Sequence, residues 1–255
     1  MSNRIVKQFV YGTFYLLVFA LIGGSVYFAY VKPAPTCMDN IQNQREEEVD
    51  CGGPCVPCAI KKLQPIKILP VQLFEAGEGL TTAFVEFQNP NLQYGASYAL
   101  ATLTFYDEES KPIYTTSGDT FIYAGAVRSI VTPAIPAPLR AVARSELALT
   151  DIRWQSATEF PRPNLDLREI ITRREGKNAV VEGVVQNKNA YGFNEVYVGA
   201  LAVTKTGLFA NASRTVLSDL QPFEERFFKI VIPILPAEFE AIDLGRTRVF
   251  VDARR

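Results

Sequence analysis

The residues most able to do chemistry lie close together. All four cysteines fall between Cys37 and Cys58, at Cys37, Cys51, Cys55 and Cys58. Interleaved with them are the oxygen donors Asp39, Asn43, Glu46 and Asp50. Four thiols in 22 residues permit several chemistries. Paired, they form two disulfides, which let a segment too short to build a core hold a shape. Four cysteines allow three pairings, and spacing does not choose among them. The Cys55-Val-Pro-Cys58 pair has the spacing of a thiol-disulfide exchange site, although Pro54, Pro57 and the absence of the βαβ setting usual for such a site argue against it. Four thiolates also match zinc, which an oxidising compartment disfavours. The oxygen donors match calcium in type, but their spacing is not that of an EF-hand loop. The structural staple is the leading expectation, with calcium and redox exchange as alternatives.

Other chemistry is narrowed by composition. The chain of 255 residues contains no histidine, so no Ser-His-Asp triad, Cys-His dyad or imidazole switch exists. Lys and Arg number 26 against 27 Asp and Glu, a balance unlike that of a nucleic-acid binder, and no nucleic-acid partner is expected. Paired acids remain as hydrolytic candidates at Asp107-Glu108-Glu109 and Glu224-Glu225. Adjacent acids are more often solvated turn residues.

The elements that carry these residues begin with an apolar run. Residues 9–31 are uncharged. As a helix they reach ~34 Å, enough for a hydrocarbon core of ~30 Å. Tyr11 and Tyr15 stand near one end, Tyr27 and Tyr30 near the other, as interfacial anchors do. A cleaved signal peptide has a shorter apolar core and a small-residue cleavage site, whereas Tyr27-Phe-Ala-Tyr-Val-Lys32 is bulky. The expectation is an uncleaved single-pass anchor through the lipid bilayer. Arg4 and Lys7 flank its start without an acid, so residues 1–8 are placed in the cytoplasm and everything after the helix outside, at a cell membrane. The small pairs Ala20/Gly24 and Ser25/Ala29 offer a weak route to helix dimerisation.

Residues 32–58 then form a cysteine-rich stalk, led by the stiff Lys32-Pro-Ala-Pro35 spacer. The residues Cys37, Asp39, Asn43, Glu46, Asp50, Cys51, Gly52, Gly53, Cys55 and Cys58 resemble a small module of extracytoplasmic proteins with the pattern C-x-D-G-x-x-N-G-x-E-x-x-x-D-C-G-G-x-C-x-x-C. Asn40 and Gln44 stand where that pattern has turn glycines.

The rest of the chain repeats. Gln88-Asn89-Pro-Asn91-Leu-Gln-Tyr94-Gly95 is answered by Gln186-Asn187-Lys-Asn189-Ala-Tyr191-Gly192, an offset near half the remaining length and a sign of duplication. Asn and Gly supply turn geometry there, so Asn89, Asn91, Asn187 and Asn189 are assigned to equivalent strand-ending turns. Flanking segments alternate with period two: Ala99, Ala101, Leu103 and Phe105 share a face, as do Val196, Val198, Ala200 and Ala202. The fold class expected is mainly β. Residues 59–154 and 166–255 form two tandem sandwiches, joined by a proline-containing linker at 155–165. Short helical turns are expected near Pro138–Ser145 and Pro236–Ala241.

The first half resembles the FxLYD-type immunoglobulin-like domain, through Val85-Glu-Phe-Gln-Asn89 and Leu103-Thr-Phe-Tyr-Asp107. The second half keeps Val181-Glu-Gly183-Val-Val-Gln-Asn187 but has Ala202-Val-Thr204 where Phe-Tyr-Asp belongs. Leu220-Gln-Pro222-Phe-Glu224 resembles the family's Leu-x-Pro-Gly-Glu turn without its glycine. The resemblance implies sandwiches outside a membrane and no activity. The function expected is therefore a non-catalytic structural or interaction protein of the cell envelope, with an unidentified envelope protein as partner. An envelope thiol-disulfide oxidoreductase is the alternative. Asn211-Ala-Ser213 is a glycosylation sequon.

Overall fold

The computed structural model describes residues 3–28, 36–236 and 238–254. The expected spacer at 32–35, the residues Ala29, Tyr30 and Val31 that end the apolar run, and Arg255 lie outside them. The chain divides into two compact units, Met1–Lys62 and Leu63–Arg255.

In the first unit α1 spans Asn3–Val26, beginning earlier than the uncharged run because Arg4 and Lys7 extend the first turns. Its stretch Arg4–Val26 is long and apolar enough to cross a membrane. The Thr13 hydroxyl donates to the Phe9 carbonyl at 2.9 Å, so its polar atom is satisfied within the helix. After the spacer, the cysteine segment is mostly turns, with a single bridge between Glu48 and Cys51. It ends in the one-turn helix α2 (Cys58–Lys61).

The second unit is built of antiparallel strands. In the first repeat these are β1 (Lys67–Ile68), β2 (Gln72–Gly77), β3 (Leu80–Gln88), β4 (Tyr94–Tyr106), β5 (Pro112–Ile122), β6 (Val127–Ile135) and β7 (Arg144–Ser156). The second has β8 (Leu165–Glu175), β9 (Asn178–Asn187), β10 (Phe193–Thr204), β11 (Phe209–Leu220), β12 (Glu225–Pro233) and β13 (Ile242–Arg254). Strands β9 to β13 begin 98, 99, 97, 98 and 98 residues after β3 to β7. Short 3-10 turns at Leu139–Ala141 and Phe239–Ala241 precede the last strand of each repeat. Strand β8 corresponds to β1 and β2 together. Pro70, which has no N–H to donate, interrupts the first copy where β8 runs on.

Pairing gives each repeat two sheets. In the first, β3 lies between β6 and the β1/β2 edge, and β4 lies between β5 and β7. In the second, β9 lies between β8 and β12, and β10 between β11 and β13. Ala83 and Ile135 pack on Leu103 and Phe105 inside the first sandwich. Val181, Val185 and Phe228 pack on Val196, Val198 and Ala200 inside the second.

The two sandwiches also pack on each other. Phe74, Phe84 and Val131 of the first repeat meet Leu201 and Ala212 of the second, with Phe209 and Phe250 against them. Strands β3 and β10 are thereby buried on both faces, which explains the unbroken runs Thr81–Val85 and Val198–Val203. Gly199 is required at this seam: the Phe250 ring lies where a Cβ would be. The sheets therefore stack in four layers, β5-β4-β7, then the β3 sheet, then β11-β10-β13, then β12-β9-β8.

Candidate functional site

The cysteine segment closes through Cys37–Cys55 and Cys51–Cys58, with Cα separations of 5.6 and 4.9 Å. Cys55 and Cys58 bond different partners, so the CxxC sequence holds no vicinal disulfide, and none of the four is a free thiol. Gly52 and Gly53 have φ of +80° and +58°, and a Cβ on Gly53 would stand 2.5 Å from the Arg45 carbonyl oxygen. They serve the bend between Cys51 and Cys55. Asn40 and Gln44, at the positions of the module's turn glycines, are left-handed all the same, at φ +59° and +51°.

The oxygen donors come together around these turns. Asp50 Oδ1 accepts the Asp39 and Asn40 N–H groups, both at 3.0 Å. Glu46 Oε2 accepts those of Asn43 and Asp50, both at 3.1 Å. Glu46 Oε1 lies 3.1 Å from Cys55 Sγ, a contact rather than a hydrogen bond because that sulfur carries no proton. Asp39 accepts from Asn43 Nδ2 at 2.8 Å, Thr36 N at 3.1 Å and Ile41 N at 2.9 Å. The Asn43 amide, then the Thr36 and Ile41 N–H groups, hold the Asp39 carboxyl below the usual carboxylate value. Lys61 Nζ approaches Asp50 Oδ2 to 4.0 Å. These acids act as turn-closing acceptors in a segment without a core, and a cation would have to displace backbone N–H groups to reach them.

The asparagine turns match bond for bond. Asn89 Nδ2 donates to the Tyr94 and Tyr123 carbonyls at 2.7 and 3.1 Å. Asn187 Nδ2 donates to those of Tyr191 and Gln221, both at 2.8 Å. The Asn91 and Asn189 N–H groups donate back to the Oδ1 of Asn89 and Asn187. Asn91 also exchanges bonds with the Gln64 backbone, as Asn189 does with Asn164. Each buried asparagine thus ties the β3–β4 or β9–β10 turn to the next turn of its sandwich, and its partner fixes the segment that enters the repeat.

The seam carries a buried polar cluster. Arg128, 7% exposed, meets the Asp252 carboxylate at 3.3 Å. Its Nε donates to Thr120 Oγ1 at 3.2 Å, and its guanidinium lies 3.6 Å from the Phe121 ring centroid. Burial pushes the Asp252 carboxyl up, against the pull of Arg128. The Tyr123 hydroxyl donates to the Ala253 carbonyl at 2.5 Å; burial, then the Asp252 charge, push its pKa up, so it stays a donor. Arg254 to Asp119 at 2.7 Å and Arg248 to Glu86 at 3.2 Å bridge the repeats nearer solvent.

Beside Arg128 a cavity of about 310 Å3 opens between β5 and β6, reaching Ala101, Leu103, Ile130 and Arg214. The second sandwich fills the matching space: the Phe228 ring lies over Gly183, where the first has Ile130 opposite Val85.

The paired acids occupy turns. Asp107 Oδ1 accepts the Lys111 N–H at 2.8 Å. Glu224 accepts the Gln221 N–H at 2.6 Å and the Arg226 Nε at 2.9 Å, which hold its carboxyl below the usual value. Glu225 pairs with Arg168 at 3.2 Å. The two sets lie at opposite ends of their sandwiches. Asn211 of the sequon is 2% exposed, and its Nδ2 donates to the Glu75 and Pro233 carbonyls at 2.9 and 2.8 Å.

Sequence reasoning did not reach the Arg128–Asp252 pair, because nothing in either local pattern marks a partner 124 positions away. Phe223 did leave a signal, the missing turn glycine.

No family model and no curated protein matches the chain. Among solved structures, a red sea bream transglutaminase aligns over 72% of this chain and 29% of its own, at 12% identity and a TM-score of 0.22. The chain thus spans under a third of that protein's length, and the likeness is too low to carry an argument.

Proposed function

We propose that the chain is a single-pass membrane protein that displays a rigid pair of immunoglobulin-like sandwiches on the outer side of a cell membrane, with its N-terminus in the cytoplasm. It serves there as a structural or interaction element of the envelope and carries no catalytic centre. One observation supports this reading above the others. The helix apolar enough to span a bilayer is followed within the same unit by a segment whose order depends on two disulfides, and such bonds persist on the oxidising side of a membrane. The charge flanks, Arg4 and Lys7 without an acid, favour the same orientation. Against catalysis stand the lack of histidine, the separation of Cys55 from Cys58 in different disulfides, and the use of the paired acids in turns. Partners then dock on the end loops or outer faces of the stack.

Membranes washed in alkaline carbonate test the anchor, and alkylation of the native chain before and after reduction tests the disulfides. The reading expects the chain to stay with the membrane and to react with alkylating reagent only after reduction. Release by carbonate, or four reactive thiols in the native chain, would overturn it.

A further inference from the structure

Phe223 lies in the turn between β11 and β12 with φ +58°, and it is 66% exposed. A bulky side chain is a steric outlier in that backbone conformation. The matching position of the first repeat, between β5 and β6, is Gly125 at φ +62°, the residue type that adopts it without penalty. The second repeat therefore accepts strain at this corner in order to hold an aromatic ring in solvent. The first repeat reaches a similar surface by another route. Leu92, 79% exposed, stands over Gly125, its Cδ2 2.9 Å from where a Cβ would sit. In the second repeat the shortened turn has Ala190 there. Each repeat thus presents one large apolar side chain at the same corner, supplied by a different turn.

Both corners lie at one end of the stack, as the bond from Tyr123 to Ala253 requires. They are separated by two sheet spacings, ~20 Å. The chain also enters the stack at this end, where Gln64 bonds Asn91, the neighbour of Leu92.

We infer that Phe223 and Leu92 are membrane-contact residues, which enter the lipid interface and set the stack with its asparagine turns toward the bilayer. This rests on the anchoring proposed above. Two separate tips suit a fluid interface, which accepts an apolar side chain anywhere on its plane, whereas a folded partner would need two pockets at matched spacing. Charges near them form pairs, Arg226 with Glu224 and Lys188 with Asp166, which suits a zwitterionic surface.

The test uses the full chain in phosphatidylcholine vesicles whose acyl chains are brominated near the glycerol. Phe223→Trp and Leu208→Trp are each compared with the parent, whose one tryptophan is Trp154. Leu208 is 69% exposed in the β10–β11 turn, at the opposite end. The inference expects brominated lipid to reduce the emission of Phe223→Trp and to leave Leu208→Trp at the parent level. Equal quenching at both ends, or none at Phe223→Trp, overturns it. Carbonate extraction of the same vesicles separates the two claims: a chain retained but unquenched defeats this inference alone, and a released chain defeats the anchor with it. A Phe223→Gly variant supplies a second reading. It should unfold at a higher denaturant midpoint while Leu92 keeps its contact, whereas a lower midpoint would make the ring a structural element and overturn its role at the membrane.

Discussion

Arg128 of the first repeat and Asp252 of the second form a buried ion pair at 3.3 Å, joining two sandwiches that the chain could have left as beads on a linker. Burial disfavours both charges, raising the Asp252 pKa and lowering that of Arg128. Removing one partner strands the other. Asp252→Asn is expected to cost ~3–5 kcal/mol, whereas Arg128→Met with Asp252→Asn should recover most of the loss. Urea unfolding of the three chains checks this, and a single variant as stable as the parent would contradict it.

The asparagine turns give a matched pair of predictions. Asn89→Ala and Asn187→Ala each leave two carbonyls without their donors and should each cost ~1–3 kcal/mol. Because the seam fuses the repeats, either variant should lower one shared transition rather than split it in two. Thermal unfolding followed by circular dichroism reads both points.

In the cysteine segment, Gln44→Gly should stabilise the module, because Gln44 holds a left-handed backbone that costs a side-chain-bearing residue ~1–2 kcal/mol. The pH dependence has a fixed sign. The folded-state pKa of Asp39 is depressed, so the stability that its acceptor bonds contribute is present above its unfolded pKa of ~3.9 and lost as pH falls through the lower folded value. Hydrogen exchange of the Ile41 and Thr36 amides should accelerate, relative to that of Asn89, only in this acid range. Replacing Cys55 and Cys58 by serine should disorder the module and leave the cysteine-free sandwiches folded.

Asn211 predicts a negative result. Its side chain is buried against the Glu75 and Pro233 carbonyls, so the sequon should stay unmodified on the folded chain when it is made in a eukaryotic secretory pathway. Peptide mass spectrometry checks this, and full occupancy would contradict the seam.

Much of this architecture could be read before the fold was seen, because it rests on local rules. The offset near 98 residues matched the two asparagine turns, and Asn89 and Asn187 mark turns by their own chemistry. The seam was harder to read. Its trace is structural, the unbroken burial of Thr81–Val85 and Val198–Val203, in segments whose sequence reads as ordinary alternating strands. The pairing of Cys37 with Cys55 depends on how left-handed turns at Asn40, Gln44, Arg45 and Asp50 fold the segment back, and spacing alone does not specify that. The outer faces of the stack are polar. The outer face of β8-β9-β12 carries a lattice of Arg173, Glu175, Glu182 and Lys229. That of β5-β4-β7 carries hydroxyls such as Thr102 and Ser117, bonded at 2.9 Å.

The central claim is the orientation, with Arg4 and Lys7 on the inner side and the residues after the apolar helix outside. Trypsin added to intact spheroplasts tests it most directly, read by immunoblot with an epitope at Arg255. The account predicts loss of the C-terminal epitope without lysis, while a cytoplasmic marker stays intact. Full protection of the epitope until the membrane is broken would contradict it.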